Sequence, residues 1–226
     1  MLNVLRTEKK YSISNEISLK LRSSLLAGMQ SDAHNGPSGY RVRSLYFDTL
    51  YDHDFNDKES GFEYRKKIRL RIYDPSANEL KLEMKEKKGQ LQQKRSLIIT
   101  RAQAEQIILG NYTCLLEMNT EFSKELYITM QTGLYRPKTI VEYKRQAFIL
   151  KENVTRITID TEIKATEACT DIFSETLNMY PVSFDTILEV KYNRFLFDYI
   201  KDLIYMVNKK EVAVSKYAMA RSISRF

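Results

Sequence analysis

The stretch Glu63–Arg95, EYRKKIRLRIYDPSANELKLEMKEKKGQLQQKR, decides the fold because it combines strand periodicity with a strong local charge. It contains eleven Lys or Arg residues and five acids, a net of +6 against +7 for the whole 226-residue chain. Basic and apolar residues alternate in it, which is the period of a strand with two different faces. Turn-forming residues at Asp74–Asn78 and at Lys88-Gly89 divide it into three runs. The stretch therefore predicts a three-strand antiparallel meander with one apolar and one cationic face.

The cationic face of this meander allows two interpretations. Like charges side by side on a sheet repel each other, so a cationic face needs either solvent or a bound anion. Arg69 and Arg71 carry guanidinium groups, which bind phosphate oxygens in a bidentate manner. Glu83 lies on the same face, where an acid suits a metal ion better than it suits phosphate alone. The pattern favours a polyanion site, and a solvated outer face is the alternative.

The composition excludes several classes of site. Cys114 and Cys169 have no metal-ligand or CxxC spacing, and we expect both to be reduced in a cytosolic protein. His34 and His53 lie in polar segments, which leaves little from which to build a zinc site or a Ser-His-Asp triad. No run approaches the ~20 apolar residues that span a bilayer, and the N-terminus does not resemble a signal peptide. We expect one domain over residues 1–226, located in the cytoplasm.

Further strands and helices flank the meander. Alternating patterns predict strands at Val4–Ile13, Tyr40–Phe47, Lys138–Lys151, Asn153–Ile163 and Val182–Tyr192. Helical periodicity beside capping residues predicts helices at Ser14–Gly28, Arg101–Leu109, Glu121–Gln131, Phe195–Val207 and Ser215–Ile223. Gln30–Gly39 is predicted as a loop, and the acidic segment Asp48–Glu59 as a loop or a short turn of helix. The predicted class is α+β, an eight-stranded antiparallel β-barrel (tunnel) with flanking and C-terminal helices.

Charged residues recur on one face of most of these strands. The cations are Lys10, Arg69, Arg71, Lys85, Lys94, Arg145, Arg156 and Lys191, and the carboxylates among them are Glu83 and Glu189. If the faces converge inside a barrel, they form a cationic tunnel with two carboxylates. The alternative is that each residue lies on the surface of its own strand.

Eight short motifs, in this order, resemble the VTC-type polyphosphate polymerase domain, which belongs to the triphosphate tunnel metalloenzyme superfamily. They are RTEKKY (6–11), SLYFDT (44–49), RLRIYD (69–74), LEMKEK (82–87), VEYKR (141–145), TRITID (155–160), ILEVKYN (187–193) and SKY (215–217). The resemblance covers essentially the whole chain. It implies an antiparallel eight-stranded tunnel that transfers the γ-phosphate of ATP onto a growing polyphosphate chain with Mn²⁺ or Mg²⁺.

The resemblance also implies roles for individual residues. The cations that hold phosphate would be Lys10, Arg69, Arg71, Lys85, Lys94, Arg145, Arg156, Lys191 and Lys216. Glu189 would bind the metal ion, with Glu83 as a helper, and Tyr143 would lie near the nucleotide base. The assignment of Lys94 depends on strand register, because Arg95 is adjacent and a slip of one residue exchanges the two.

The sequence departs from its relatives at two points. Hydrolytic members of the superfamily begin with a Glu-x-Glu-x-Lys pattern, whereas the triplet here is Arg6, Glu8 and Lys10. A base in place of the first carboxylate disfavours a plain triphosphatase. Eukaryotic family members also carry an inositol-phosphate-sensing domain and membrane helices, which are not found in this sequence. We expect any attachment to the inner face of the membrane to depend on a separate partner protein.

Three alternatives to a polymerase stay open. They are a tunnel tri/polyphosphatase, a non-catalytic subunit that binds polyphosphate or nucleotide, and a nucleic-acid-binding protein. The expected ligands are ATP and polyphosphate rather than nucleic acid, because the aromatic residues interleave with apolar core positions and do not line the basic face.

Overall fold

The computed structural model describes residues 6–89, 91–183, 185–205 and 209–223. Its strands are β1 (Arg6–Ile13), β2 (Gln30–Ser31), β3 (Tyr40–Asp48), β4 (Tyr64–Ile72), β5 (Glu79–Lys88), β6 (Leu91–Thr100), β7 (Arg136–Leu150), β8 (Thr155–Thr166), β9 (Tyr180–Pro181), β10 (Thr186–Asn193) and β11 (Lys210–Glu211). Its helices are α1 (Asn15–Gly28), α2 (His53–Glu59), α3 (Arg101–Ile108), α4 (Cys114–Glu117), α5 (Glu121–Thr132), α6 (Asp198–Tyr205) and α7 (Lys216–Ile223).

The strands form one large antiparallel sheet, so the predicted α+β class is confirmed. Hydrogen bonding gives the order β11-β1-β10-β8-β7-β3-β4-β5-β6, with β2 beside β7 and β9 beside β8. Eight strands have eight residues or more, and they correspond to the eight that the sequence predicts. The order ends at β11 and at β6, and no pairing between these two strands occurs among the described residues. The closure that a barrel requires is therefore not observed in the hydrogen bonding.

The chain divides into two compact units. The first unit comprises Met1–Arg41, Tyr143–Lys164 and Pro181–Ser215. The second unit comprises Val42–Glu142, Ala165–Tyr180 and Lys216–Phe226. Within the described residues, no helix is both long enough and apolar enough to cross a membrane.

The second unit contains the predicted meander, whose three strands are confirmed. Arg69 of β4 lies opposite Glu83 of β5, and Lys85 of β5 lies opposite Lys94 of β6. The register therefore selects Lys94, not the adjacent Arg95, for the charged face. The apolar residues of the opposite face pack into a core that includes Leu70, Leu82, Met84, Ile99, Leu126 and Met130. Thr100 and Thr120 form capping boxes at the starts of α3 and α5, which cover this core.

The first unit pairs β1 with β10, and β10 with β8. The apolar faces of these strands pack with α1 and α6 in a second core, which includes Ile13, Leu21, Leu25, Ile157, Leu188 and Ile200. Because side chains alternate along a strand, the other face of the three strands is left to the polar residues. This arrangement confirms the predicted separation of apolar and charged faces in β1.

Some predicted boundaries differ from the structure. The last long strand begins at Thr186 rather than Val182, because Tyr180–Pro181 forms the separate strand β9 and the chain bends between the two. In that bend the amide of Asp185 donates to the hydroxyl of Ser183 at 3.1 Å, which competes with strand pairing. The sequence analysis also missed α4 and the two-residue strands. Val4 and Leu5 of the predicted first strand, and residues 206–207 of a predicted helix, lie outside the described residues.

Candidate functional site

In the second unit, strands β3–β6 arrange polar side chains in rows that run across the sheet. Residues directly opposite each other on neighbouring strands project from the same face. One row consists of Tyr46, Arg69, Glu83 and Ser96, and the next consists of Lys67, Lys85 and Lys94. A third row contains Ser44, Arg71 and Lys81, and a fourth contains Arg65 and Lys87. We call these four rows the cationic face.

Glu83 is the carboxylate at the centre of the cationic face, and it is buried. Its Oε2 atom lies 2.7 Å from Nε and from Nη2 of Arg69 and 3.7 Å from Nη1 of Arg71, while Lys94 contacts its Oε1 atom. Burial would raise the pKa of Glu83, but the charges of Arg69, Arg71 and Lys94 outweigh it and lower the pKa to about 2. Glu83 is therefore an ionised counter-ion of three predicted phosphate ligands. Its role as a metal helper stays a prediction.

The cationic face carries more positive charge than this one carboxylate neutralises. Lys67, Lys85 and Lys94 lie directly opposite one another on three adjacent strands. Like charges in such positions destabilise a sheet, and a bound polyanion would relieve the repulsion. Arg71 is 7% exposed, so a solvated outer face does not describe its position.

Tyr46 connects the cationic face to Lys216. Nη1 of Arg69 donates a hydrogen bond of 3.0 Å to the Tyr46 hydroxyl. Burial would raise the pKa of Tyr46, but Arg69, Arg71 and, more weakly, Lys216 act against it and leave the pKa below its ordinary value. Lys216, which the resemblance alone recommended, is thus part of the electrostatic surroundings of the Arg69 row.

Asp48 is a fully buried carboxylate that fixes the position of α7. The Tyr217 hydroxyl donates to Asp48 at 2.5 Å, and the amides of Asp54 and Phe55 donate to it at 2.9 and 3.0 Å. The Tyr217 ring stacks on Tyr46 with ring centroids 5.2 Å apart. One carboxylate therefore holds β3, the start of α2 and the first turn of α7, where Lys216 lies.

In the first unit, β1, β10 and β8 form a second set of polar rows. Lys10 lies opposite Glu189, which lies opposite Thr158. In the neighbouring row Glu8 lies opposite Lys191, which lies opposite Arg156. We call these six residues, together with Arg145 and Asp160, the mixed-charge face.

Glu189 is buried on this face beside three cations. Lys191 contacts its Oε1 atom, and Nη2 of Arg145 lies 4.0 Å from its Oε2 atom. Burial would raise the pKa of Glu189, but Lys191, Lys10 and Arg145 together hold the pKa far below its ordinary value. Glu189 is therefore ionised, as a metal ligand must be.

Arg145 forms a two-pronged ion pair with Asp160. Its Nε and Nη2 atoms donate to the two carboxylate oxygens at 2.6 and 2.7 Å. The guanidinium carbon also lies 5.2 Å from the centre of the Tyr143 ring, which is buried. Burial would lower the pKa of Arg145, but Asp160 and Tyr143 raise it well above its ordinary value. The pair fixes the plane of the guanidinium group.

Arg156 is held by Asp32, which follows β2, and by Tyr40, the first residue of β3. Its Nη2 atom lies 2.9 Å from Asp32 and donates to the Tyr40 hydroxyl at 3.3 Å. Asp32 in turn accepts bonds from the amide and ring of His34 at 3.0 and 2.9 Å. The mixed-charge face with Asp32 thus has four cations and four carboxylates, whereas the cationic face has one carboxylate.

The mixed-charge face fits a divalent metal ion better than the cationic face does. The ammonium group of Lys191 lies 3.8 Å from Oε2 of Glu8 and also contacts Glu189. Two carboxylates that converge on one cation are a donor set that Mg²⁺ or Mn²⁺ can use, since such ions commonly take one or two carboxylates and complete their shell with water and phosphate oxygens. The described residues contain no cluster of three or more His, Cys, Asp or Glu that could hold an ion by itself.

The structure therefore brings the predicted site residues together in two groups. Arg69, Arg71, Lys85, Lys94, Lys216 and Glu83 belong to the second unit, and Lys10, Tyr143, Arg145, Arg156, Glu189 and Lys191 belong to the first. The sequence places Glu8 in the same triplet and on the same face as Lys10, but the prediction gave Glu8 no role of its own. Tyr46 and Asp160 were not predicted as site residues. The pairing of Asp160 with Arg145 could not be predicted, because it depends on the register of two strands.

Comparisons with known proteins agree with this architecture. Residues 5–224 match the family model of the VTC domain. A solved structure described as a "putative adenylate cyclase" from Bacillus halodurans has a TM-score of 0.56 at 10% identity and covers 94% of either chain. Another with the same description, from Vibrio parahaemolyticus, has a TM-score of 0.48 at 14% identity and covers 91% of this chain and 87% of its own.

No curated protein matches the sequence. At 10% identity, the similarity to the Bacillus halodurans protein concerns the fold alone. The family match extends over nearly the whole chain and includes both groups of site residues. The chain belongs to the VTC domain family.

Proposed function

We propose that this chain is an ATP-dependent polyphosphate polymerase, which transfers the γ-phosphate of ATP onto a growing polyphosphate chain as a single domain over residues 1–226. The observation that carries the proposal is the cationic face, which places eight Lys or Arg residues around one carboxylate in a VTC domain. Such a surface suits linked phosphates, which present several negative charges in a row. We expect the protein in the cytoplasm, or at the inner face of the membrane through a partner.

The cationic face would bind the linked phosphates and stabilise charge during transfer. Phosphoryl transfer needs little covalent chemistry from the protein, because its barrier is lowered mainly by in-line positioning and by cations at the non-bridging oxygens. Arg69 and Arg71 offer planar donor groups already oriented by Glu83, and Lys85, Lys94 and Lys216 add positive charge. Each charge-assisted bond contributes about 1.5–3 kcal/mol. The acceptor is the terminal phosphate of the polymer, so no side-chain nucleophile is required.

The mixed-charge face would hold the metal ion through Glu189 and Glu8. A bound Mn²⁺ or Mg²⁺ supplies positive charge to phosphate oxygens and so stabilises the leaving group. Lys10 and Lys191 lie beside both carboxylates and would bind the same phosphate oxygens. Arg145, whose guanidinium group is oriented by Asp160, would bind phosphate, and Tyr143 would lie near the nucleotide base.

One assay tests this function. The pure protein is incubated with ATP and Mn²⁺ or Mg²⁺, and ADP, orthophosphate and polymer length are measured together. We expect ADP and polyphosphate chains that lengthen with time. Orthophosphate as the sole phosphate product would instead establish the tri/polyphosphatase, and ligand binding without turnover under either metal would establish a binding subunit. Tight binding of nucleic acid that is not displaced by polyphosphate would contradict the polymerase, the tri/polyphosphatase and the binding subunit alike.

A matched pair of variants connects the assay to the site. Glu189→Gln keeps the shape of the side chain but loses the charge that a metal ion needs, so we expect little turnover. Lys20→Met removes a cation whose side chain is 77% exposed on α1 and should leave turnover unchanged. Wild-type turnover in Glu189→Gln would contradict the assigned role of Glu189.

A further inference from the structure

Thr158 carries a buried hydroxyl whose hydrogen bonding is not satisfied by the described part of the chain. The residue is 2% exposed, and its Oγ1 atom has no hydrogen-bond partner among the residues that the structure describes. Buried polar side chains are nearly always satisfied, because leaving water without gaining a bond is unfavourable. An orphaned hydroxyl inside a polar face therefore indicates a place where another polar group binds.

The position of Thr158 identifies the site that this hydroxyl serves. It lies directly opposite Glu189, which lies directly opposite Lys10, so the three residues form one row of the mixed-charge face. Directly opposite residues in an antiparallel sheet have Cβ atoms about 4.5–5.5 Å apart. The next residues on this face of β8 have other partners, since Arg156 pairs with Asp32 and Asp160 pairs with Arg145.

Charge favours a metal ion over a phosphate as the group that binds here. The row and its neighbours contain as many carboxylates as cations, so a divalent metal ion bound there would lie beside anions. Phosphates would instead bind the cationic face, where cations are in excess. A neutral hydroxyl adds an oxygen ligand without adding repulsion or charge. Hydroxyl groups of Ser and Thr bind Mg²⁺ in this way in P-loop enzymes.

We propose that Thr158 supplies its hydroxyl oxygen, directly or through one bound water, to the divalent metal ion held by Glu189 and Glu8. The proposal deepens the proposed function, on whose metal site it rests. It predicts a ligand set of two carboxylates and one hydroxyl drawn from three adjacent strands. Substrate phosphates and water would complete the shell.

The test measures Mn²⁺ binding by the full chain without any phosphate. Free Mn²⁺ is quantified from its electron paramagnetic resonance signal, which is lost on binding, and the Mn²⁺-induced rise in melting temperature is recorded in parallel. Thr158→Val keeps the shape and loses the hydroxyl, and we expect an affinity lower by about tenfold. Thr158→Ser keeps the hydroxyl and should bind Mn²⁺ within about twofold of wild type.

Two controls separate this role from a structural one. Without metal, Thr158→Val should be as stable as wild type or more stable, because it removes an unpaired buried hydroxyl. Metal-free binding of tripolyphosphate should be unchanged in the same variant. Wild-type Mn²⁺ affinity in Thr158→Val would overturn the proposal, and a loss confined to tripolyphosphate binding would overturn it by assigning the hydroxyl to phosphate.

Glu189→Gln distinguishes this proposal from the function on which it rests. If this variant loses Mn²⁺ binding while Thr158→Val retains it, the metal site stands and only the role of Thr158 fails. If neither variant changes Mn²⁺ affinity, the metal site on the mixed-charge face fails with it. The expected result is weaker Mn²⁺ binding in both Glu189→Gln and Thr158→Val, and nearly wild-type Mn²⁺ binding in Thr158→Ser.

Discussion

Asp54 shows how burial changes the chemistry of a single residue. Burial and then the neighbouring charge of Asp48 raise the pKa of Asp54 to about 8, although the Tyr135 hydroxyl donates to it at about 3 Å and opposes the rise. Near neutral pH this carboxyl is therefore mostly protonated in the folded protein. In an unfolded chain it would ionise near its ordinary value of 3.8.

This difference predicts a pH dependence of stability. Because the folded pKa is the higher one, the stabilising contribution of Asp54 is complete below about pH 4 and is lost as the pH rises towards 8. The free energy of unfolding should fall by up to about 1.4 kcal/mol per pH unit from this group. Asp54→Asn should flatten the curve measured by urea unfolding from pH 4 to 8. Glu59→Gln changes a half-exposed residue of the same helix and should leave the pH dependence of the free energy of unfolding as in wild type. An unchanged pH dependence in Asp54→Asn would contradict the raised pKa of Asp54.

Arg69 combines charge with geometry, and two substitutions separate these contributions. It donates to Glu83 at 2.7 Å and to Tyr46 at 3.0 Å, which leaves its planar group fixed on the cationic face. Arg69→Ala should weaken tripolyphosphate binding by about 10- to 150-fold, the equivalent of about 1.5–3 kcal/mol. Arg69→Lys keeps the positive charge but loses the planar group with several N–H donors. Its affinity for tripolyphosphate should therefore lie between those of wild type and Arg69→Ala.

The measurement for Arg69 is a titration calorimetry series with tripolyphosphate alone. Lys20→Met, at an exposed residue of α1 that pairs with Glu16, provides the control for the loss of one positive charge. Wild-type dissociation constants in both Arg69 variants would remove this residue from the phosphate site.

At the scale of elements, Asp48 joins three segments of the second unit. It lies at the end of β3 and accepts bonds from α2 amides and from Tyr217 of α7. It accepts hydrogen bonds from four donors, one of which is the amide of Thr49 at 2.7 Å. The N-cap residue of α2, Asp52, provides no side-chain cap of its own, so Asp48 performs that task from a neighbouring strand.

Tyr217→Phe tests whether this bond holds α7 in place. The variant keeps the ring stacked on Tyr46 and loses only the hydroxyl that donates to Asp48. We expect the free energy of unfolding to fall by about 1.5–3 kcal/mol, the usual contribution of a hydrogen bond to a charged group. Because Lys216 begins the same helix, tripolyphosphate affinity should fall as well, though less than in Lys216→Met. If Lys216→Met and the double variant Tyr217→Phe, Lys216→Met bind tripolyphosphate with equal affinity, Tyr217 acts on phosphate binding through Lys216.

The elements also show which features the sequence could predict. The meander β4–β6 follows from local information, since alternation sets the faces and turn residues set the ends. The approach of Arg145 to Asp160, and of Arg156 to Asp32, depends on contacts across 15 and 124 residues of chain, which alternation cannot reveal. The sequence therefore indicated the cations together with Glu83 and Glu189, but not Asp160 and Asp32, the carboxylates that orient Arg145 and Arg156. Whether β11 and β6, the two ends of the strand order, pair with each other likewise depends on residues far apart in the chain.

At the scale of the whole molecule, the charge distribution predicts that a bound polyanion stabilises the protein. The net charge is +7, and nearly all of it belongs to one stretch that forms the cationic face. Cations side by side in these rows repel one another, and among the described residues of the four rows Glu83 is the one carboxylate. A polyanion that binds the folded chain and not the unfolded one must therefore raise the stability.

Tripolyphosphate at 100 times its dissociation constant should add roughly 2.7 kcal/mol to the free energy of unfolding at 25 °C. The increase should be measured by urea unfolding, with orthophosphate at equal ionic strength as the control for general screening. Raising the salt concentration should increase the dissociation constant of tripolyphosphate, because salt screens the cationic face. At a fixed tripolyphosphate concentration the stabilisation should shrink accordingly. Equal stabilisation by orthophosphate and tripolyphosphate at matched ionic strength would show that the cations act independently, each as a separate surface charge, and not as a site for linked phosphates.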